Sequence, residues 1–343
     1  MPTYALLILP STNRVYADAS IGLTLAELAL FSEAVLGRRL SGLADQRIGG
    51  VSYVTFDADM LSDADIAFLS NLSSIYALFE LVGDMLRPVE LHRLDRFDDD
   101  LITIQKYQGK TNEQFTKLLV NATLMASAFA PDMTRRKLAL LDPLCGRGTT
   151  LNQALMYGWD ASGIDVDGKD FEAYGAFITT WCKRKRIKHQ AETVPVRRDR
   201  QVVAKRLQVT LAAAKEDYKA GQTQRLDVVN ADTVRALEFF RPENFHLLVA
   251  DLPYGVQHGS RTAAKGLARS PLDLLAAAVP VWARLLKPGG AIGVSLNTFV
   301  ARREAAAQVF ADSGLHVADW RPRCFAHRVD QAIHRDIVVA RKA

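Results

Sequence analysis

The chain has 343 residues, about half of them hydrophobic, which is enough for one large domain or two ordinary ones. No stretch has the roughly 18 uninterrupted apolar residues of a membrane-spanning helix, and no basic segment precedes the first apolar run, so we expect a cytoplasmic protein without a signal peptide or a membrane partner. Three scattered cysteines without CxxC spacing argue against a disulfide framework and a metal site. The net charge of +5 is compatible with a polyanionic partner.

The first hundred residues predict a small N-terminal α/β domain, residues 1–100. Within it, the apolar spacing and the position of Thr24 predict a helix that this residue caps. A β-α-β-α order of this kind is typical of a ferredoxin-like layer. The predicted elements are strands at residues 4–9 and 49–56 and helices at residues 24–36, 62–69 and 73–79.

A second domain, residues 101–343, follows a charged connector and begins with a long helix predicted over residues 112–130. From residue 136 onward strands alternate with helices, which predicts a mostly parallel, doubly wound, Rossmann-like sheet. The fold class is therefore α/β. The predicted strands are residues 138–142, 161–165, 227–230, 247–251 and 291–296, with a final pair at 315–320 and 336–340.

A basic insertion at residues 183–224 interrupts this alternation. Between residues 183 and 206 the chain has ten Lys or Arg residues against two acids. A basic segment at the rim of a sheet can follow a phosphate backbone, and a solvated helix–loop–helix is the alternative. The end of the insertion, through Tyr218, has a helical pattern.

A glycine turn, DPLCGRGTTL, follows the first strand of this domain. Gly146 and Gly148 permit positive φ and let a ligand approach the backbone, and a helix begins near Thr149. The GxxxxGK[ST] phosphate pattern is absent and the third glycine of a dinucleotide fingerprint is missing. A structural turn is the alternative to a cofactor loop. The predicted cofactor contacts here are Asp142, Pro143, Cys145, Gly146, Gly148, Thr149 and Thr150.

Acidic residues also follow the next two strands. Asp165, with Val166 after it, ends the second strand at the point where a carboxylate can accept both ribose hydroxyls of a bound nucleoside. Asp232 follows the third strand and could accept a hydrogen bond from the exocyclic amine of an adenine. With Asp142, three successive strands end in acids, which indicates a nucleoside-containing cofactor.

The sequence ADLPYG ends the predicted fourth strand and has the form [Asp/Asn/Ser]-x-Pro-aromatic. Here the chain resembles the amino-methyltransferases, which methylate N6 of adenine, N4 of cytosine or N2 of guanine. The resemblance implies that the Asp251 carboxylate and the Leu252 carbonyl accept the hydrogens of the target amine, and that Asp251 also lines the cofactor site. It implies further that Pro253 stiffens the turn and that Tyr254 stacks on a base rotated out of its stack.

From residue 104 to the end, the chain resembles the tRNA guanosine-N2-methyltransferase family. The resemblance is carried by a YxGK-like segment (Tyr107, Gly109 and Lys110), the helix after it, the glycine turn and the PYG motif. It implies S-adenosylmethionine as cofactor and RNA, tRNA first, as substrate. Relatives carry a THUMP domain after the ferredoxin-like piece. Here only about one hundred residues precede the linker, so the grip on tRNA would come from the basic insertion or from an accessory protein subunit.

The sequence therefore predicts methyl transfer from S-adenosylmethionine to the exocyclic amine of a base in RNA, with N2 of guanosine in tRNA ahead of ribosomal RNA. A DNA adenine-N6 or cytosine-N4 methyltransferase is the runner-up, since it shares the same motif. A non-catalytic RNA-binding scaffold is disfavoured by the intact Asp165, Asp251 and Tyr254. A nicotinamide-dependent oxidoreductase is disfavoured by the incomplete glycine fingerprint.

Overall fold

The computed structural model describes residues 1–11, 13–107, 109–253 and 270–343. Within these ranges the chain forms two β-sheets with helices packed on them. The predicted site residue Tyr254 lies outside the described residues, so its stacking role stays a prediction.

The N-terminal sheet is antiparallel, with the strand order β2-β3-β1-β4-β5. Its first four strands and two helices follow one another as βαββαβ, which is the ferredoxin-like arrangement expected from the sequence. The boundary between domains at residue 100 stays a prediction. The elements are β1 (Thr3–Ile8), α1 (Arg14–Ala34), β2 (Ser41–Ile48), β3 (Val51–Asp57), α2 (Asp63–Leu69), β4 (Ile75–Val82) and β5 (Met85–Val89).

The helix predicted over residues 73–79 is wrong, because this segment begins strand β4. Its apolar run is short, and pairing with β1 in the middle of the sheet buries residues such as Leu78. Short apolar runs fit a strand or a helix equally well by periodicity. Strand β2 was not predicted, because it is largely exposed at the edge of the sheet and has few apolar residues.

Helix α1 begins ten residues earlier than predicted. The side chain of Asn13 caps it by accepting a hydrogen bond from the Tyr16 N–H at 3.2 Å. Thr24 lies inside the helix and donates to the Ser20 carbonyl at 2.7 Å, so it is not the cap. In the part of the chain that the structure describes, α1 is the one helix long and apolar enough to span a membrane, and 56% of its most apolar 18-residue stretch is buried in the protein.

The second sheet has ten strands within the described residues, in the order β13-β15-β12-β11-β6-β7-β10-β9-β8, with β14 paired to β15. Its elements are α3 (Asp100–Thr103), α4 (Glu113–Ala126), β6 (Ala139–Asp142), α5 (Thr149–Met156), β7 (Asp160–Asp165), α6 (Gly168–Arg184), β8 (Lys188–Arg198), β9 (Gln201–Ala212), α7 (Lys215–Lys219), β10 (Gln224–Asn230), β11 (Phe245–Asp251), α8 (Pro271–Leu285), β12 (Leu286–Asn297), α9 (Arg303–Asp312), β13 (His316–Val317), β14 (His327–Arg328) and β15 (His334–Arg341).

The five central strands, β12, β11, β6, β7 and β10, pair in parallel. From β6 the chain proceeds outward through β7 to β10, and then returns to place β11 on the other side of β6. This reversal is a topological switch point, and ligands of open α/β sheets bind above the carboxyl ends of the strands at such a point. The predicted doubly wound, Rossmann-like sheet is confirmed.

The basic insertion differs from the helix–loop–helix alternative. Strands β8 and β9 form a hairpin that pairs antiparallel with β10 and so widens the sheet. The reason is an alternating pattern in β9, where Leu207, Val209 and Leu211 are buried and the residues between them are more exposed. Within the predicted helical run that ends at Tyr218, only α7 is helical.

A buried polar cluster connects α1 to the second sheet. The fully buried Glu27 carboxylate accepts hydrogen bonds from the Ser73 N–H and from the Asn121 amide, on α4, at 2.7 Å. The Tyr157 hydroxyl donates to the Asn121 side chain at 2.7 Å. Burial raises the pKa of Glu27. Because buried polar groups need specific partners, this cluster fixes how α1 packs on α4.

Candidate active site

Four acids predicted as site residues lie at one edge of the second sheet. Asp142 is the last residue of β6, Asp165 of β7 and Asp251 of β11, and Asp232 comes two residues after β10. The three strands β7, β6 and β11 are consecutive and parallel, with neighbours about 4.8 Å apart. The sheet therefore brings these carboxylates to adjacent positions, as the sequence predicted.

The glycine turn between β6 and α5 has a left-handed backbone at both glycines. Gly146 has φ +47° and Gly148 has φ +79°, a region that favours glycine. The Gly148 N–H donates to the Cys145 carbonyl at 2.7 Å, and the Cys145 N–H donates to the Ile164 carbonyl at 3.0 Å. Gly148 is the N-cap of α5 and has no side chain to cap it, so the first N–H groups of the helix face the strand-end edge.

Where the turn lies closest to the protein core, only glycine fits without a steric overlap. A Cβ on Gly148 would overlap the ring of Tyr174, which is fully buried and donates its hydroxyl proton to Asn152 at 2.9 Å. A Cβ on Gly163, in β7, would lie 2.7 Å from the Cys145 sulfur. The glycines therefore let the turn pack closely against Tyr174 and against β7.

The Asp165 carboxylate fastens the turn to β7. One oxygen accepts from the Gly146 N–H at 2.7 Å and the other from the Asp167 N–H at 2.8 Å. Each carboxylate oxygen can accept about two hydrogen bonds, so acceptor capacity remains for a ligand. Burial raises the pKa of Asp165. Val166, next in the chain, is 75% exposed and presents an apolar surface beside the carboxylate.

Asp142 is 3% exposed, and one of its oxygens accepts from the Leu144 N–H at 3.0 Å. Burial raises the pKa of its carboxyl to about 7, and the charges of Asp165 and Asp251 add to the effect. Such a group favours a cationic ligand, which would stabilise its charged form. Among the described residues no group of three or more His, Cys, Asp or Glu side chains is placed to hold a metal ion.

Asp232 caps the short 3₁₀ turn Thr233–Glu238, and one of its oxygens accepts from the Val234 N–H at 3.1 Å. The residue is half-buried. The prediction that Asp232 accepts a hydrogen bond from the exocyclic amine of an adenine stays a prediction.

Asp251 is held by hydroxyl groups from two different segments. The Ser295 hydroxyl, from β12, donates to one carboxylate oxygen and the Thr111 hydroxyl donates to the other. The Leu252 N–H donates to the Ser295 carbonyl at 3.0 Å. Leu252 is buried, whereas Pro253 is exposed. The motif therefore leaves the strand in a fixed direction, with its carboxylate positioned from both sides.

The YxGK-like segment spans the site. At one end the Tyr107 hydroxyl lies 3.2 Å from the Thr149 hydroxyl, and the Arg147 guanidinium lies 4.9 Å from the centre of the Tyr107 ring. Thr111, the residue directly after the segment, contacts Asp251. The Lys110 ammonium donates to the Ile102 carbonyl at 2.8 Å, which anchors the middle of the segment. This segment therefore joins the glycine turn to the Asp251 motif.

Sequence reasoning missed Thr111 and Ser295. Ser295 has a detectable signal, since it is a polar residue in the otherwise apolar run of β12. Thr111 has only its position after the YxGK-like segment. The structure brings the predicted residues that it describes together at the strand-end edge, and their roles stay predictions. They are Asp142, Pro143, Cys145, Gly146, Gly148, Thr149, Thr150, Asp165, Val166, Asp232, Asp251, Leu252 and Pro253.

No curated protein matches the chain significantly. Three solved structures share parts of the fold: a TehB-like SAM-dependent methyltransferase from Corynebacterium glutamicum (15% identity, 63% of this chain and 85% of that one, TM-score 0.33), precorrin-6y C5,15-methyltransferase from Geobacter metallireducens (12%, 73% and 98%, 0.40), and 1,6-didemethyltoxoflavin-N1-methyltransferase from Burkholderia thailandensis (14%, 65% and 79%, 0.35). Such low identities and TM-scores say nothing about the substrate of this chain.

A family model supplies the assignment. The model described as "UPF0020: RMKL-like, methyltransferase domain" matches residues 118–290, which is half of the chain. The match begins in α4 and includes the glycine turn, the strand-end acids and the Asp251 motif. The chain therefore belongs to the UPF0020 family of RMKL-like methyltransferase domains, and its cofactor is S-adenosylmethionine.

Proposed function

We propose that this protein methylates an exocyclic amine of a base in RNA, and that it does so in the cytoplasm. The first candidate for the target is N2 of guanosine in tRNA. The observation that carries the proposal is the Asp251 carboxylate, which is fixed by the Thr111 and Ser295 hydroxyls beside the glycine turn. An exocyclic amine conjugated to a base is a weak nucleophile, so its methylation needs positioned acceptors of this kind for its hydrogens.

The site fits the cofactor in three respects. The glycine turn has a left-handed backbone at Gly146, where a Cβ would project into open space, and the N-terminus of α5 after it has no side-chain cap. Asp165 keeps acceptor capacity for the ribose hydroxyls, and Val166 offers an apolar face beside it. The buried Asp142 carboxyl suits a cationic ligand. Asp232 is the proposed acceptor for the adenine amine.

The substrate amine needs activation, because its lone pair is delocalised into the ring. The Asp251 carboxylate and the Leu252 carbonyl would accept its two hydrogens and hold the nitrogen in a pyramidal, nucleophilic geometry. Bound S-adenosylmethionine supplies an electrophilic methyl group on a sulfonium. The protein then has only to keep the nitrogen in line with that methyl group, which is catalysis by positioning. The surplus amine proton passes to Asp251 or to water.

The experiment that tests the substrate class is transfer of labelled methyl from S-adenosylmethionine. Total RNA and genomic DNA, both from a strain that lacks the gene, are offered separately to the full chain. We expect label in RNA and none in DNA. Label in DNA alone would move the substrate to the DNA amino-methyltransferase class. No label in either, with the cofactor bound, would contradict the proposal.

Cofactor affinity should depend on pH through Asp142. Burial raises the pKa of this carboxyl to about 7, so it is mainly protonated below that pH and ionises above it. A cationic cofactor prefers the ionised form, so we expect the Kd for S-adenosylmethionine to fall about tenfold as the pH rises from about 5.5 to 7. Titration calorimetry at several pH values measures this change. Asp142→Asn should bind more weakly and without this pH dependence; the same dependence in the variant would assign it to another group.

A further inference from the structure

The β8–β9 hairpin extends past the edge of the sheet that carries the site. Across the sheet Asp165 of β7 lies opposite Asn230 of β10, which lies opposite Lys205 of β9, so these three residues mark the carboxyl edge. Four residues of β9, numbers 201–204, come before Lys205. At about 3.3 Å per residue the hairpin projects about 13 Å beyond this edge.

The tip of the hairpin is a tight turn rich in arginine. Arg198 lies opposite Gln201, and the two residues between them, Asp199 and Arg200, have φ of +46° and +67°. Positive φ at both central residues is the geometry of a two-residue type I′ turn, whose twist matches that of the strands. The tip therefore presents Arg197, Arg198 and Arg200 around the single carboxylate of Asp199.

One arginine of the tip fixes its position beside the site. The Arg198 guanidinium donates to the Glu238 carboxylate at 2.8 Å and to the Glu238 carbonyl at 2.7 Å. Arg235 donates to the same carboxylate at 2.8 Å. Glu238 and Arg235 both lie on the 3₁₀ turn that Asp232 caps. The tip is thus tied to the turn that follows one of the proposed cofactor residues.

The other two arginines, Arg197 and Arg200, are exposed and form no ion pair with any residue that the structure describes. The basic residues lower in the hairpin are neutralised by internal partners: Lys205 pairs with Glu172, at 2.9 Å, and Arg206 with Asp227. Paired charges attract a polyanion weakly, so the available positive charge on this part of the hairpin is concentrated at the tip.

The remaining basic residues of the insertion lie at the opposite end. Lys188, the first residue of β8, pairs with Ala212, ten residues from Arg198 along the strand. This corresponds to about 33 Å. Arg184 and Arg186, which precede β8, are therefore at the far edge of the sheet from the site. The insertion therefore contains two basic clusters. The cluster at the hairpin tip lies at the edge of the sheet that carries the candidate site, and the other lies at the opposite edge.

We infer that Arg197 and Arg200 bind the phosphate backbone of the RNA substrate. The inference rests on the proposed function and names the surface that grips its substrate. The arginine guanidinium donates two parallel hydrogen bonds to phosphate oxygens, which makes it a specific phosphate ligand. Strand β9 is four strands from β11, or about 19 Å. The tip therefore contacts a phosphate that flanks the target nucleotide, and not the target itself.

The test compares two double variants that remove the same charge. R197Q/R200Q neutralises the tip, and R184Q/R186Q neutralises two arginines at the far edge. Filter binding of bulk tRNA at several salt concentrations gives affinity and salt slope, and steady-state methyl transfer gives kcat and KM. For the tip variant we expect affinity to fall at least about tenfold and the salt slope to fall by about 1.4 to 1.8, which corresponds to two phosphates.

For the tip variant we also expect kcat at saturating RNA, and the Kd for S-adenosylmethionine, to stay within about twofold, since the tip touches neither the amine nor the cofactor. The far-edge variant should behave as the unmodified protein. Equal losses in both variants, a larger loss in the far-edge variant, or tRNA binding that neither alters would overturn the inference. RNA binding and methyl transfer are measured separately. Failure of the proposed function would appear as RNA binding without methyl transfer, and this result differs from each of the outcomes above.

Discussion

Asp251→Ala is expected to lower kcat for methyl transfer by about a hundredfold to a thousandfold while the Kd for S-adenosylmethionine changes less than about threefold. The variant removes an acceptor that acts on the amine in the transition state, and loss of one positioned hydrogen-bonding group at a reacting centre commonly costs two to three orders of magnitude in kcat. Single-turnover transfer and calorimetry measure the two quantities separately. Activity equal to that of the unmodified protein would refute the role of Asp251.

Two milder variants separate positioning from chemistry. Thr111→Val and Ser295→Ala each remove one hydroxyl that donates to the Asp251 carboxylate. We expect each to lower kcat about tenfold with little change in KM, because the carboxylate stays but loses one restraint. Thr111→Ser keeps the hydroxyl and should restore activity. A loss of kcat in Thr111→Ser as large as in Thr111→Val would show that packing, and not the hydrogen bond, is what matters.

Gly148→Ala should abolish cofactor binding and lower the free energy of unfolding by about 2 to 4 kcal/mol. A left-handed backbone costs a non-glycine residue about 1 to 2 kcal/mol, and overlap with a buried ring adds strain. The Tyr174 ring cannot move aside cheaply, because it is buried and its hydroxyl is bound to Asn152. Relief of the overlap would instead shift the glycine turn.

Gly221→Ala is the matched control for this prediction. Gly221 also has a left-handed backbone, with φ +75°, but a Cβ there would have no heavy atom within 4 Å. It should therefore lose only the backbone strain of about 1 to 2 kcal/mol, with cofactor binding unchanged. Urea unfolding and calorimetry measure both effects. Equal losses of stability in the two variants would mean that the contact with Tyr174 is unimportant.

The parallel part of the second sheet could be predicted from the sequence because its strands are buried on both faces. Such strands are rich in apolar residues, and four of the five end in an acid or have one within two residues of their carboxyl end. β6 and β11 show this most directly, since Asp142 and Asp251 end their runs. Parallel strands place their ends at one edge, so the candidate site followed from the order of the strands.

The hydrogen bonds that orient the site could not be predicted. Thr111 and Asp251 are 140 residues apart, and no local pattern links a threonine before a helix to an acid at the end of a strand. The hairpin was missed for a different reason. Its charged residues lie on exposed strand positions and mask the alternation of Leu207, Val209 and Leu211, on which the pairing with β10 depends.

The most direct test of the central claim is the identity of the methylated nucleoside. RNA labelled by the full chain is digested to nucleosides, and the labelled product is identified by chromatography and mass spectrometry, with Asp251→Ala as the control. The account predicts label on an exocyclic nitrogen, N2-methylguanosine first, and none with the variant. Label on a ring carbon or on a ribose 2′-oxygen would contradict it, because neither position has an amine for Asp251 and Leu252 to hold.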